Sequence, residues 1–261
     1  MEKKEMTGET PVFSVIIPTF NEEQNIERTL KQIVEFFQSE TELNPYEILV
    51  VDDGSSDRTV SLVEQLISAY RQIRLIKNAH FGKGYTVRTG VLSARGQYIL
   101  FTDADGSTPI REVKRLLLRL TEDSFDVAVA SREGTGARRY QEPYYRHLMG
   151  RAFNLVVQLL ALPGIQDSQC GFKLFKAEAA KTIFNKLKIY GQDTKERVFA
   201  FTGAFDVEVL FLARKFGYRI KEVPVNWTYN RTDRVSPLRD SWLMFLDVIK
   251  IRINELRGVY R

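Results

Sequence analysis

The 261-residue chain has a single cysteine, Cys170, so no internal disulfide can form, and a reducing compartment suits it. Histidine is nearly absent too. His80 and His147 are the only two, and neither has metal-ligand spacing, so both read as surface or packing residues. No run is long enough to cross a membrane. The longest apolar stretch, Ala152 to Ile165, is interrupted by Asn154, Gln158 and Pro163 and falls short of the roughly 20 residues a span requires. The opening MEKKEMTGET lacks the apolar core of a signal peptide, and no repeat or low-complexity segment is visible. With 44% hydrophobic and 27% charged residues, disorder is expected only at the flexible start, residues 1–10. Residues 11–261 then form one domain, with a first half, 11–131, and a second half, 132–261, packed onto it. The net charge of +5 suits a chain that handles anions or rests on an acidic membrane.

What is present centres on YILFTDADGSTP, Tyr98 to Pro109. Tyr98 to Phe101 reads as a buried strand that runs into Asp103-Ala104-Asp105 and a Gly-Ser-Thr-Pro turn. Residues two apart in an extended chain point to the same side, so Asp103 and Asp105 can converge while Ala104 faces away. Two carboxylates that close repel unless a cation separates them. Oxygen-only ligands at an open position suit Mg²⁺ or Mn²⁺, which keep waters and accept substrate phosphate oxygens. The alternative is an Asp-rich turn that only caps the next helix, Ile110 to Leu120.

Neighbouring segments repeat the pattern of a strand ending in acid. Val12 to Ile17 leads to Pro18-Thr19-Phe20-Asn21-Glu22-Glu23 and a helix opening at Asn21 or Glu22; Glu47 to Val51 leads to Asp52-Asp53-Gly54 and a helix to about Tyr70. Ile73 to Ile76, the loop HFGKG and a helix over about 85–94 follow. Strands alternating with helices predict an α/β fold with a parallel sheet, in which ligands bind beyond the carboxyl ends of the strands. A fifth strand, Asp126 to Ala130, ends in Ser131-Arg132 and opens a basic region with Arg138, Arg139, Arg146 and Arg151, which would either seat an anion or form a solvated face. A helix over about 143–162 follows, and QDSQCGFKLF then turns the chain back. Two more helices, 177–187 and one within FTGAFDVEVLFLARKFG, lead to a strand at 220–225 and a last helix at about 237–256. Lys83 begins a helix and reads either as a phosphate contact or as a surface turn. Asp206 and Glu208 lie two apart on a helix and so point apart, one of them toward substrate or both in ion pairs. In the last helix Trp242, Phe245, Leu246, Ile249, Ile253 and Leu256 share a stripe, which packs on the core or forms a membrane or subunit contact. The apolar end of the earlier helix, around Leu155 to Leu162, is the other candidate surface.

PTFNEE, VVDDGSSD, FGKG, DADGS, the Ser-Arg after the fifth strand, DSQCGFKLF, FDVEVLF and EVPVNW followed by RVSPLRD resemble, in that order, the family-2 glycosyltransferases of the GT-A fold. Within them the chain is most similar to the dolichyl- and polyprenyl-phosphate glycosyltransferases, nearer to the β-glucosyl than to the mannosyl branch. The resemblance implies a Rossmann-like, mostly parallel sheet flanked by helices, with a C-terminal acceptor-side elaboration. It implies that Pro18, Phe20 and Glu22 flank base and ribose with Val51 and Asp53, and that Asp103 and Asp105 hold Mg²⁺ or Mn²⁺ beside Ala104. Ser107 replaces the Gln that mannosyl relatives place near the metal. Arg132 and Arg146 would receive the lipid phosphate, Arg234 would close over the diphosphate, and Gly150 stands where many relatives have Ser. Asp105, Arg132, Asp167 and Asp206 are the expected catalytic set, with Asp167 positioning the site and Lys83 near phosphate.

The activity implied is inverting, metal-dependent hexose transfer from a nucleotide sugar, UDP-glucose, to dolichyl or polyprenyl phosphate, by an enzyme peripheral on the cytoplasmic face of a membrane or held by an anchoring partner. Nucleic acid is not an expected partner. The alternatives are a GDP-mannose-dependent mannosyltransferase, a family-2 transferase to a saccharide hydroxyl, which would need a carboxylate base, and a nucleotide-binding regulatory module without turnover.

Overall fold

The computed structural model describes residues 10–192, 194, 203–230 and 237–261. Its centre is a seven-stranded sheet in the order β3-β2-β1-β4-β7-β5-β8. The strands are β1 (Phe13–Thr19), β2 (Tyr46–Asp52), β3 (Ile73–Lys77), β4 (Tyr98–Thr102), β5 (Val127–Ser131), β7 (Phe172–Lys176) and β8 (Ile220–Pro224). β1 is buried at every position and β2 at all but its first, the near-continuous apolar run expected of a sheet covered on both faces. Helices α1 (Ile26–Ser39), α2 (Thr59–Ala69) and α4 (Val113–Thr121) connect or flank these strands, and α3 (Lys83–Ser93), α6 (Ala177–Asn185) and α7 (Phe205–Lys215) supply further cover. Two apolar clusters result. One joins Ile16, Val51, Val87 and Phe101 to α6 and α7, and the other joins Val15, Val50 and Leu100 to α1 and α4.

Sequence periodicity predicts a parallel sheet, and β7 corrects it. Phe172–Lys176, expected as part of a turn, is a strand that runs antiparallel between β4 and β5. The inversion matters for the site. Because β1, β2, β4, β5 and β8 are parallel, their carboxyl ends share one edge, and the beginning of β7 is brought to that same edge with Phe172 opposite Thr102. Asp53, Asp103, Arg132 and the 167–171 turn therefore meet without any long loop. A second, two-stranded sheet of β6 (Arg138–Tyr140) and β9 (Asn226–Thr228) closes over this edge, continuing from β5 and β8.

Helix starts differ from the sequence expectation in two places. Asn21 takes a left-handed conformation, φ 55°, and its side-chain oxygen accepts from the Ser56 backbone N–H at 2.8 Å, so α1 begins only at Ile26. A 3₁₀ turn, Ile110–Glu112, precedes α4. Helix α5 (Tyr144–Leu160) packs beside α8 (Pro237–Leu256), and among the described residues no helix is long and apolar enough to cross a membrane. Of the two readings of the α8 stripe, packing on the core does not hold for most of it. Asp247, Val248 and Ile251 face the core, while Trp242, Ile253 and Leu256 are exposed and Phe245, Leu246 and Ile249 half-buried. The core of α7 tolerates that polar contact because Tyr190 donates its hydroxyl to Asp247.

Candidate active site

After Thr102 the chain leaves β4 as Asp103-Ala104-Asp105. Ala104 is buried, and its carbonyl accepts from Thr29 Oγ1 at 2.8 Å, which fastens the turn to α1. Both oxygens of Asp105 accept from Ser107, from its backbone N–H at 2.9 Å and its hydroxyl at 2.8 Å. Burial and then the neighbouring charge of Asp103 push the Asp105 carboxyl above its ordinary pKa, although the Ser107 bonds pull the other way. The two acids are thus close enough to repel. The helix-capping alternative fails, since Pro109 precedes the 3₁₀ turn and no side chain caps it.

Asp103 is the open member of the pair, with a third of its side chain exposed, and it receives Lys83 Nζ at 2.6 Å. Burial opposes the charge on Lys83, but Asp103, then Asp206 and Asp105, outweigh it and raise its pKa. Gly171 explains how β7 comes so near. A Cβ there would lie 1.9 Å from Asp103 Oδ2, and the Gly171 carbonyl accepts from the Asp103 N–H at 3.1 Å. Among the described residues no group of three His, Cys, Asp or Glu side chains gathers as a metal cage. A repelling carboxylate pair with one exposed member still fits a hard divalent ion, which takes one or two protein carboxylates and completes its shell with water and phosphate oxygens.

On the other side of the edge, Asp53 is buried and fully engaged. It accepts from the backbone N–H groups of Phe81 and Gly82, each at 2.9 Å, and approaches His80 Nδ1 at 2.8 Å. The His80 ring stacks on Phe20 with centroids 4.2 Å apart. His80 is thus a packing residue, held against two of the side chains expected to line the base pocket, a contact that its sequence spacing did not disclose. Glu22 accepts from Asn25 Nδ2 at 3.0 Å. Pro18 and Val51 are buried register partners, and the Val51 side chain lies in the core, so what either offers to a ligand is its backbone.

The basic side is built around Arg132, at the end of β5. Asp167, fully buried, accepts from its backbone N–H, its Nε and its NH2 group, each at 2.8 Å. Burial alone would raise the Asp167 carboxyl, yet the guanidinium holds it down at about 2, and the same pairing raises Arg132 against its desolvation. Glu222 accepts the backbone N–H groups of Gln166 and Asp167 at 2.8 Å and so fixes the turn. Arg132 lies over Trp227 at 5.2 Å and Arg146 over Tyr229 at 5.0 Å, with Arg146 donating to the Tyr229 hydroxyl at 2.7 Å. The even positions of the same segment turn toward the acids: Thr228 N–H donates to the Ser107 carbonyl at 2.9 Å, and Asn230 Nδ2 to the Asp105 carbonyl at 2.9 Å. Trp227, Tyr229 and Asn230 were not singled out in sequence; the period-two alternation after EVPV is the signal that could have found them.

Arg139 is not part of this open set, being clamped between Glu133 and Glu142, and Gly150 is exposed with nothing within 4 Å of a Cβ. Asp206 is buried against Lys173, itself a buried lysine whose ammonium donates to the Cys170 carbonyl at 2.6 Å and lies 5.6 Å from the Phe101 centroid. Glu208 points elsewhere, accepting from the N–H groups of Lys188, Ile189 and Tyr190 and from the Tyr260 hydroxyl. Burial raises both carboxyls, and these partners oppose the rise. Cys170 is buried, which pushes its thiol up to about 12 and makes it unreactive. Arg234 lies outside the described residues.

An acidic turn beyond the middle of a mostly parallel sheet, with Arg132 just after β5 and Arg146 on α5 across the same edge, matches a GT-A glycosyltransferase architecture. The chain belongs to glycosyl transferase family 2, whose model matches residues 14–184, and it is a glycosyltransferase. It is 35% identical over 262 residues to a dolichyl-phosphate β-glucosyltransferase of Dictyostelium discoideum, covering 95% of this chain and 76% of that one. The corresponding human protein is 35% identical over 97% of this chain and 78% of its own length. A mannosyltransferase of Pyrobaculum calidifontis, solved with GDP-Man and Mn²⁺, shares the fold with a TM-score of 0.60 at 20% identity, over 93% of this chain and 65% of that longer one. Glucosyl-3-phosphoglycerate synthase from Mycobacterium tuberculosis, solved with Mn²⁺, UDP and product, does so at 0.60 and 20%, over 95% and 80%.

Proposed function

We propose that this chain transfers glucose from UDP-glucose to the phosphate of dolichyl or polyprenyl phosphate, with inversion, at the cytoplasmic face of a membrane. The observation that carries the reading is the meeting, on one sheet edge, of the Asp103–Asp105 turn with Arg132 and Arg146, the two sides being tied together by residues 226–230. The names of the relatives at 35% identity support the same acceptor and sugar.

Asp103 and Asp105 would hold the divalent ion, which when bound neutralises charge on the departing diphosphate. Lys83 is within reach of that same charge from the N-terminus of α3, and must release Asp103 to meet it. The guanidinium groups of Arg132 and Arg146 would seat the acceptor phosphate. A phosphate monoester has its second pKa near 6 and is largely dianionic at neutral pH, so its oxygen attacks the anomeric carbon without a protein base. As that bond forms, the bond to the diphosphate oxygen breaks and the nucleotide diphosphate leaves with the electron pair. A saccharide acceptor would need a carboxylate to take its proton. Asp206, bound to Lys173, and Glu208, bound to three N–H groups, are committed elsewhere, which favours the phosphate acceptor.

The test is a donor screen with labelled nucleotide sugars, membrane lipid extract and Mg²⁺ or Mn²⁺, with and without chelator. Label should pass from UDP-glucose into the lipid fraction only with metal. UDP-glucose hydrolysis with no lipid-linked product from any lipid would refute the acceptor, and transfer only from GDP-mannose would refute the donor.

A further inference from the structure

Apart from its site, the molecule leaves an unusual amount of apolar surface on two neighbouring helices. On α5, Leu148, Leu155 and Leu159 follow a helical stripe away from the core, with Leu155 58% and Leu159 75% exposed, and Tyr144 and Tyr145 stand exposed at its start. On α8, Trp242 is 60% and Leu256 82% exposed. The two helices pack side by side, and the exposed charges on them share one sign. Helix α5 carries no acidic residue, and Arg151 is exposed on it. On and just after α8, Lys250, Arg252 and Arg257 are exposed, whereas Asp240 and Asp247 are buried and Glu255 is held by Lys215.

We propose that the exposed face of α5 and α8 is a docking surface for an anionic lipid bilayer. The proposal deepens the lipid-phosphate reading above and rests on it only for the direction in which the acceptor arrives. Leucines set between arginine and lysine, with Tyr and Trp at the margins, are the side chains that settle at a headgroup boundary, where apolar area enters the acyl layer and cations meet anionic lipid. A protein partner would find the same leucines, but the most exposed charges are cationic: Arg252 and Arg257, with Arg151 and Lys250 reaching back to Glu133 at 3.6 Å and Asp247 at 3.2 Å, and such a surface matches a negatively charged sheet of headgroups. The face borders the site without containing it. Arg146, stacked on Tyr229, lies in the first turn of α5, about 200° around the helix from Leu148, so the arginine turns to the site while the leucines turn away from it.

The experiment uses the full chain with vesicles of phosphatidylcholine, with and without phosphatidylserine, read by co-sedimentation and by tryptophan emission. Wild-type protein should bind the serine-containing vesicles, with an emission shift to the blue that is lost in Trp242→Phe. The double variant Leu155→Glu/Leu159→Glu, at positions with little packing to lose, should bind roughly a hundredfold more weakly. Lys250→Glu/Arg257→Glu should remove the preference for phosphatidylserine. Transfer to a water-soluble, short-chain polyprenyl phosphate should be unchanged in all three variants, while transfer to a vesicle-embedded acceptor falls with binding in the two double variants. Vesicle binding equal to wild type in the leucine variant would overturn the proposal. So would a dimer, seen by analytical ultracentrifugation, that this variant dissolves without changing vesicle binding, for the face would then belong to a second copy. Failure of the acceptor reading looks different: no transfer to either acceptor, with vesicle binding intact, supports the docking face and removes the lipid phosphate as substrate.

Discussion

Replacing Asp167 by Asn tests the basic half of the site at its most buried contact. The carboxylate receives three hydrogen bonds from Arg132 and is fully buried. Its pKa gives one estimate of the loss. A carboxyl at about 2 in place of the ordinary 3.8 is worth about 2 kcal/mol at neutral pH, because each tenfold in proton affinity is about 1.4 kcal/mol. Removing one partner of a buried ion pair gives another, about 3–5 kcal/mol, since the remaining guanidinium is left uncompensated. We therefore expect a destabilisation of about 2–5 kcal/mol, or a fall in Tm of roughly 5–15 °C in a domain this size. The pH dependence fixes the sign. The folded-state pKa lies below the unfolded one, so the stabilisation is fully present above about pH 4 and is lost as pH falls through about 2. Urea unfolding of both proteins from pH 7 downward should show a gap that is widest at neutral pH and narrows in acid. At a temperature where the variant is folded, transfer should fall mainly through a raised KM for the acceptor. A variant that melts within a degree of wild type at pH 7, or a gap that does not change with pH, would refute the account of Asp167 as the charge that holds Arg132.

Gly171→Ala would drive a methyl into the Asp103 carboxylate, 1.9 Å from Oδ2, and the carboxylate can swing aside more easily than the strand. Transfer should drop by about a hundredfold with Tm little changed, and unaltered transfer would contradict the placing of Asp103 in the reaction. Asp105→Asn removes a repulsive charge whose pKa burial and Asp103 have raised, so thermal unfolding should show equal or slightly higher stability while metal-stimulated transfer falls at least a hundredfold. Retained activity there would sink the metal role. Tyr229→Phe keeps the ring under Arg146 but deletes the 2.7 Å bond, for a loss of about 1 kcal/mol or roughly fivefold in kcat/KM for the acceptor; donor hydrolysis kinetics should not move.

The nucleotide half of the fold was legible because β1, β2 and β4 are largely apolar runs that lead into an acid, so that type, boundary and edge all follow from them. The bounds of α8 were equally plain, from Pro237 and the helical period. Its orientation was not. A period of apolar residues marks a stripe but not whether another surface covers it, and here the core takes Asp247 because Tyr190 reaches it from elsewhere in the chain. β7 was hidden for a similar reason. Lys173 interrupts its apolar run, and the lysine is tolerated only because Asp206, 33 residues later, and the Cys170 carbonyl complete it. Likewise nothing local links His80 to Phe20, since the stack depends on Asp53 holding the 80–82 loop.

The charges of the assembled edge argue for what it must still receive. Asp103, Asp105, Asp167 and Asp206 are matched by Lys83, Arg132, Lys173 and Arg146, and the first three cations are engaged with acids while Arg146 rests on a neutral phenol. Among the described residues, these eight side chains leave no excess positive charge for a nucleotide diphosphate, which adds about two negative charges, and an acceptor phosphate that adds nearly two more. Lys83 can turn to the diphosphate only by abandoning Asp103, which would then stand beside Asp105 with their repulsion restored. A divalent ion between those two carboxylates removes the repulsion, frees the lysine and offsets the diphosphate together, whereas any monovalent side-chain cation could do only one of these. The acceptor phosphate is left to Arg132 and Arg146. Of the two, Arg146 gives up no ion pair among the described residues in meeting it, only its bond to the Tyr229 hydroxyl, so the proposed acceptor displaces less at Arg146 than at Arg132.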